Sequence, residues 1–173
     1  MKSLSLAAVG LAALFAGAAR ADTTVEVKNV HLCCKACVTG VEKALKDVAG
    51  VTGKCEQGAK TVTLTAKDDA AAQKAIDALA AAGYHGDVSG TKFKVPDDSG
   101  ATAGKVKSLT ITGVHNCCGS CNSSIKKAIA KVSGVSGDTS KPRAEAIEVT
   151  GEFDAVELVK SLNAAGFHVK VKK

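Results

Sequence analysis

Residues 31–37 read His-Leu-Cys-Cys-Lys-Ala-Cys, and residues 115–121 read His-Asn-Cys-Cys-Gly-Ser-Cys. Each run packs three thiols and an imidazole into seven positions. Cys34 with Cys37, and Cys118 with Cys121, have Cys-x-x-Cys spacing, which at a loop-to-helix junction brings two sulfurs to one point. The spacing alone is shared by metal sites and redox pairs. Thiolates are soft ligands that select copper(I), zinc or mercury over calcium or magnesium. The extra Cys33 and Cys117 allow a three-sulfur site, and because thiolates bridge ions they also allow a polynuclear copper(I) cluster within or between the two runs. Zinc is the competitor, since three cysteines and His31 or His115 would complete a closed tetrahedral set. Buried thiols or a disulfide are the plain alternative; recurrence of the same four positions argues against them.

The elements that must hold these loops are legible around them. Residues 23–30, Thr-Thr-Val-Glu-Val-Lys-Asn-Val, alternate as a half-buried strand does. Val38, Val41, Leu45 and Val48 then recur at helical spacing before a stop at Gly50. The second cysteine of each pair is expected to begin the helix, where free N–H groups and the positive dipole end favour thiolate. Two strands flank residues 56–60, a second helix ends at Gly83, and residues 84–95 read as extended chain with a bend at Gly90. The second run follows the same order, with Ile125, Ile129 and Val132 in one helix and Leu158, Val159 and Leu162 in the next. That order, βαββαβ, places two helices on one face of an antiparallel sheet.

The two cysteine runs are 84 positions apart, and the later Ala-Ala-Gly-Tyr-His and Ala-Ala-Gly-Phe-His runs are 83 apart. The expected fold class is therefore α+β: two ferredoxin-like βαββαβ sandwiches in tandem, residues 22–95 and 106–173. Residues 96–105, Pro-Asp-Asp-Ser-Gly-Ala-Thr-Ala-Gly-Lys, read as a flexible linker. Residues 1–21, with Lys2, an apolar run and Ala19-Arg20-Ala21, read as a signal peptide, which places the mature chain outside the cytoplasm, in the periplasm. Loss of Lys2 and Arg20 would lower the net charge from +6 to +4.

The βαββαβ order with a cysteine pair between first strand and first helix resembles the heavy-metal-associated domain of copper chaperones, copper-transporting ATPases and the periplasmic mercury-binding protein. Cys34 and Cys37, Cys118 and Cys121 match that motif, and Tyr84 and Phe167 match the aromatic of the last loop. The resemblance implies copper(I) held at an exposed loop and passed to a partner by ligand exchange. The sequence departs from the family's Gly-Met-x-Cys-x-x-Cys pattern: the Met is absent, the loop is longer, and Cys33 or Cys117 precedes each pair.

The function expected is non-enzymatic: an exported copper(I) chaperone or sequestering protein, with zinc or mercury as other cargo. Metal sites are assigned to Cys33, Cys34, Cys37, Cys117, Cys118, Cys121, His31 and His115. The partner expected is a metal-transporting or metal-accepting protein with an acidic face, opposite Lys126, Lys127 and Lys131; a metal-bridged dimer is a further expectation. Thiol–disulfide exchange is the enzymatic alternative, but the neighbouring third cysteine would compete in mixed-disulfide chemistry. Four Phe, one Tyr and no Trp offer no stacking platform for nucleic acid. No glycine loop or carboxylate pair marks a hydrolase or transferase. His85 and His168, each after an aromatic, are expected to point away from it, and Cys55 to be a core thiol.

Overall fold

The structure is a computed structural model describing residues 22–172; the signal-peptide reading of residues 1–21 lies outside them. The chain folds as a mixed α+β protein with two four-stranded antiparallel sheets and four helices. The first unit contains β1 (Thr23–Lys28), α1 (Lys35–Leu45), β2 (Val51–Glu56), β3 (Thr61–Ala66), α2 (Asp69–Ala81) and β4 (Asp87–Val88). The second contains β5 (Lys105–Thr112), α3 (Gly119–Ile129), β6 (Val135–Asp138), β7 (Ala146–Asp154), α4 (Ala155–Ala164) and β8 (Lys170–Val171). Strand order is β2-β3-β1-β4 in one sheet and β6-β7-β5-β8 in the other, consistent with a ferredoxin-like arrangement.

Alternation sets the faces. Val25 and Val27 of β1 and Val62, Leu64 and Ala66 of β3 are buried, while Glu26 and Lys28 are exposed. Val25 stands opposite Leu64 and Val27 opposite Val62, and α1 lays Cys37, Val41 and Leu45 over them at helical spacing. In the second unit Ile111, Ile147 and Val149 meet Ile125, Ile129, Leu158 and Leu162 in the same way. Each fully buried side chain of this size contributes about 2 kcal/mol. Val48 and Val132 fall beyond the ends of α1 and α3, so the helices are a turn shorter than their apolar spacing suggests.

The helix starts differ in a way that serves the cysteines. Asp68 caps α2 by accepting from the Ala71 N–H at 2.8 Å, and Asp154 caps α4 by accepting from Val156 and Glu157. Cys34 and Cys118 occupy the N-cap positions of α1 and α3, extended in backbone and making no side-chain cap bond. Thus the first cysteine of each pair precedes the helix and the second lies in its first turn, two residues past the helix start, the position the sequence suggested for it.

Of residues 84–95, read as extended chain, only Asp87–Val88 form a strand, as only Lys170–Val171 do in the second unit, because the residues before them are used across the seam. Tyr84 pairs with Phe167 across the two units. The His85 N–H donates to the Gly166 carbonyl at 3.1 Å and the His168 N–H to the Gly83 carbonyl at 3.0 Å. The contacts come in matched pairs, an approximate two-fold relation between the units. Gly83 and Gly166, both at positive φ, make the close approach: a Cβ on Gly83 would lie 2.3 Å from the Gly113 oxygen and the His115 nitrogen, and one on Gly166 would lie 2.5 Å from the His31 nitrogen. The buried apolar residues of both units form one continuous cluster. Residues 96–105 lie against the second unit: Ser99 accepts from the Val171 N–H at 2.7 Å, and the Gly104 N–H donates to Asp154 at 2.9 Å.

Candidate metal centre

The seam turns the two cysteine loops toward each other. Cys37 and Cys121, both fully buried, lie 3.7 Å apart across it. Within the first unit Cys37 is 3.6 Å from Cys33 and 3.8 Å from Cys34. Within the second, Cys121 is 3.6 Å from Cys117 and 3.7 Å from Cys118. Across the seam Cys33 reaches Cys121 at 3.5 Å and Cys118 at 3.7 Å, and Cys34 reaches Cys117 and Cys118 at 3.9 Å. All seven cysteines are free.

These separations distinguish chemistries. A disulfide would need about 2.05 Å. Two sulfurs on one tetrahedral ion with bonds of about 2.3 Å stand about 3.8 Å apart, and on a linear ion about 4.6 Å. The observed 3.5–3.9 Å therefore matches sulfurs sharing three- or four-coordinate ions, and each sulfur has several such neighbours, the condition for bridging. The six thiols make one site, the between-runs arrangement of the two that the sequence left open.

Both histidines of the motif are present. One ring nitrogen of His115 groups with Cys37, Cys117 and Cys121 with all four ligand atoms within 4.8 Å of one another; His31 does so with Cys33 and Cys121, and Cys34 does so with Cys33 and Cys118. Every group mixes the two units. His115 stacks on Tyr84 and His31 on Phe167, ring centroids 4.4 Å apart in each case. The Tyr84 hydroxyl donates to the Cys37 carbonyl at 2.8 Å, so its oxygen can only accept from His115 Nε2 at 3.1 Å. Burial pushes the Tyr84 phenol well up, keeping that donor in place. His115 thus carries its proton on Nε2, leaving Nδ1 as the free nitrogen. Phe167 has no hydroxyl, and His31 Nε2 is buried without a hydrogen-bond partner.

Charge follows geometry. Cys37 is held far below the usual thiol range, first by Cys121, with further help from the backbone N–H groups of Cys34 and Cys33. Cys121 is driven far up by that same neighbour. Cys118 is lowered to about 6, chiefly by the Cys121 N–H at the start of α3. Desolvation raises Cys33 and Cys117. Burial lowers His31, so its ring is neutral and able to ligate. A pocket already holding thiolate, and resisting more, is arranged to accept cations that remove the repulsion.

Other residues singled out by sequence lie elsewhere. Cys55 sits in β2 opposite Val62, half-buried, its thiol raised by desolvation. Lys126 pairs with Asp138 at 2.8 Å. His85 and His168 meet each other on the seam, Nδ1 to Nδ1, at 3.3 Å, an encounter that local alternation could not indicate.

No family model and no curated protein matches the chain. Solved structures do. The N-terminal domain of PacS from Synechocystis PCC6803 is 28% identical, with 39% of this chain and 100% of that one covered, at a TM-score of 0.35. The N-terminal soluble domains of CopA from Bacillus subtilis are 21% identical over 88% of this chain and 95% of that one, at 0.30. The water-soluble region of the P-type ATPase CopA from the same organism is 23% identical over 88% and 93%, at 0.31. The chemistry rests on the thiols themselves.

Proposed function

We propose that this chain is an exported, non-enzymatic carrier or sequestering protein for copper(I), held as a polynuclear thiolate cluster shared by its two units. The observation that carries the reading is the convergence of all six motif cysteines at 3.5–3.9 Å across the seam. Soft donors, spacing suited to bridging, and thiolates stabilised at two helix starts all favour a d10 ion. The sequence resemblance to heavy-metal-associated domains supports the same cargo. Delivery would proceed by ligand exchange, entering through Cys33, the exposed member of the set, with a metal-transporting or metal-accepting protein as recipient. The signal-like residues 1–21 support a periplasmic location.

Anaerobic titration of the reduced protein with copper(I) against a chromophoric chelator, with bound metal counted by native mass spectrometry, tests this. More than two copper ions per chain are expected. Two or fewer would sink the shared cluster, and no competitive uptake would sink the copper reading.

A second reading has its own support. Cys37, His115, Cys117 and Cys121 form a Cys3His group of the composition that closed zinc sites use. A zinc ion retained against excess copper(I) in the same titration would favour it.

A further inference from the structure

The thiol cluster leaves one pair of metal-capable groups unused. His168 is 3% exposed and His85 half-buried, and their Nδ1 atoms face each other across the seam at 3.3 Å. The ring planes differ by 10° and the centroids lie 5.5 Å apart. The centroid separation exceeds the nitrogen separation by about twice the distance from an imidazole centre to its own nitrogen. The two rings therefore meet edge to edge, each Nδ1 directed at the other. A carboxylate fixes one of them: His168 Nε2 donates to Asp98 Oδ1 at 2.7 Å, while Lys170 holds Asp98 Oδ2 at 2.9 Å. With its proton on Nε2, His168 presents a lone pair at Nδ1, the carboxylate–histidine arrangement that orients metal-bound imidazoles. With that proton on His168 Nε2, the contact at 3.3 Å is His85 Nδ1–H donating to His168 Nδ1; a cation entering between the rings would displace this proton, which His85 can carry on Nε2 instead, freeing two head-on lone pairs.

We propose that His85 and His168 form a second, two-coordinate site for a d10 cation, copper(I) or its analogue silver(I), distinct from the thiol cluster and bridging the two units. Head-on lone pairs suit a linear ion and not a tetrahedral one. With imidazole–metal bonds of about 2.0 Å, a linear ion needs a nitrogen span of about 4.0 Å, so the pair must open by about 0.7 Å relative to the observed 3.3 Å. His85 supplies that movement, because His168 is clamped by Asp98 and buried. Two neutral nitrogens bind a soft ion more weakly than bridging thiolates, so the site fills after the cluster. An ion there joins the unit carrying Cys33, Cys34 and Cys37 to the unit carrying Cys117, Cys118 and Cys121. By linkage it tightens the cluster as the cluster tightens it. The proposal extends the soft-metal reading but is carried by different residues.

The test is titration of the reduced, 15N-histidine-labelled protein with silver(I), following imidazole nitrogen resonances, with native mass spectrometry of the same samples. Late in the titration the Nδ1 resonances of His85 and His168 are expected to move to metal-bound positions as one further ion is taken up. His85→Gln and His168→Gln should each bind one ion fewer, with thiol-bound ions unchanged. Unperturbed Nδ1 resonances in the unmodified protein at saturation overturn the proposal, whether or not the variants fold. Uptake that stops at the thiols defeats this site alone; imidazole shifts without thiol uptake defeat the cluster reading alone.

Discussion

Tyr84 lies on His115 as Phe167 lies on His31, with the same 4.4 Å centroid spacing and closely similar interplanar angles of 26° and 30°. The two ends of the centre differ by one oxygen atom. At the Tyr84 end that oxygen ties the Cys37 carbonyl to His115 Nε2, fixing the imidazole and its tautomer. At the Phe167 end His31 Nε2 is buried and unpartnered. Two nearly superposable surroundings therefore prepare one histidine as an anchored strut and the other as a donor in waiting. The loops differ likewise one residue further on: Leu32 buries an apolar side chain, whereas Asn116 reaches the Lys141 carbonyl at 2.9 Å and Asn122 at 3.1 Å. The second loop is held by side-chain hydrogen bonds and the first by packing.

Removing what the ends share should have the largest effect. Cys37→Ser is expected to reduce copper(I) uptake to two ions or fewer, because Cys37 touches sulfurs of both units; native mass spectrometry counts the loss. Cys33→Ser, at the exposed edge, should lower affinity and leave the cluster countable.

Next come the two glycines, which separate the ends. Gly83→Ala drives a Cβ against His115 and Gly113, and Gly166→Ala drives one against His31 and Asn29. Each adds backbone strain at positive φ to a clash, a cost on the order of 2–3 kcal/mol. The radius of gyration from small-angle scattering should rise for either, with the nearer histidine's resonances most displaced. Unchanged scattering from both would break the picture of a seam that depends on backbone contact.

Tyr84→Phe makes the ends chemically alike. It removes the second bond to the Cys37 carbonyl, which keeps its place in the α1 ladder, and leaves His115 Nε2 without partner, so urea unfolding of the metal-free protein should show a loss of about 1–3 kcal/mol. The reverse change, Phe167→Tyr, supplies His31 with a partner and should weaken copper(I) retention. By the same reasoning His31→Ala is expected to weaken retention about tenfold, or about 1.4 kcal/mol, and His115→Ala to cost more in stability than in metal. Equal effects from the two alanines on copper competition would refute the distinction between strut and donor.

A further effect, of similar size to the loss in Tyr84→Phe, is in pH. His85 is held at about 4, below its ordinary 6.5, so between those values the unfolded chain takes a proton that the native one refuses. Stability is full above about 6.5 and falls as pH drops toward 4, by on the order of 2 kcal/mol after allowance for partial exposure. His85→Gln should flatten that slope in denaturation curves measured from pH 4 to 7.

Much of this was readable before any coordinates. Alternation in residues 23–27 and 61–66 marks strands because one face of each is buried against helices, and the Val41–Leu45 spacing marks a helix for the same reason. The thiols and imidazoles declared themselves because each recurs at a matched offset. Extended chain at residues 84–88 was legible, but not that Tyr84 and His85 pair across to Phe167 and Gly166 instead of lengthening their own sheet. Asp98 was invisible in a segment whose composition signals a linker, because an ion pair with Lys170 and a bond to His168 depend on where the chain returns.

The amino-acid order by itself determined two sets of soft ligands, each delivered to the start of a helix, because ligand type and helix periodicity are local properties. Only the tertiary structure decided that the two sets make one centre. That outcome depends on two glycines with no Cβ, an aromatic pair and two histidines meeting across residues 83 positions apart, and no local pattern carries a contact at that distance.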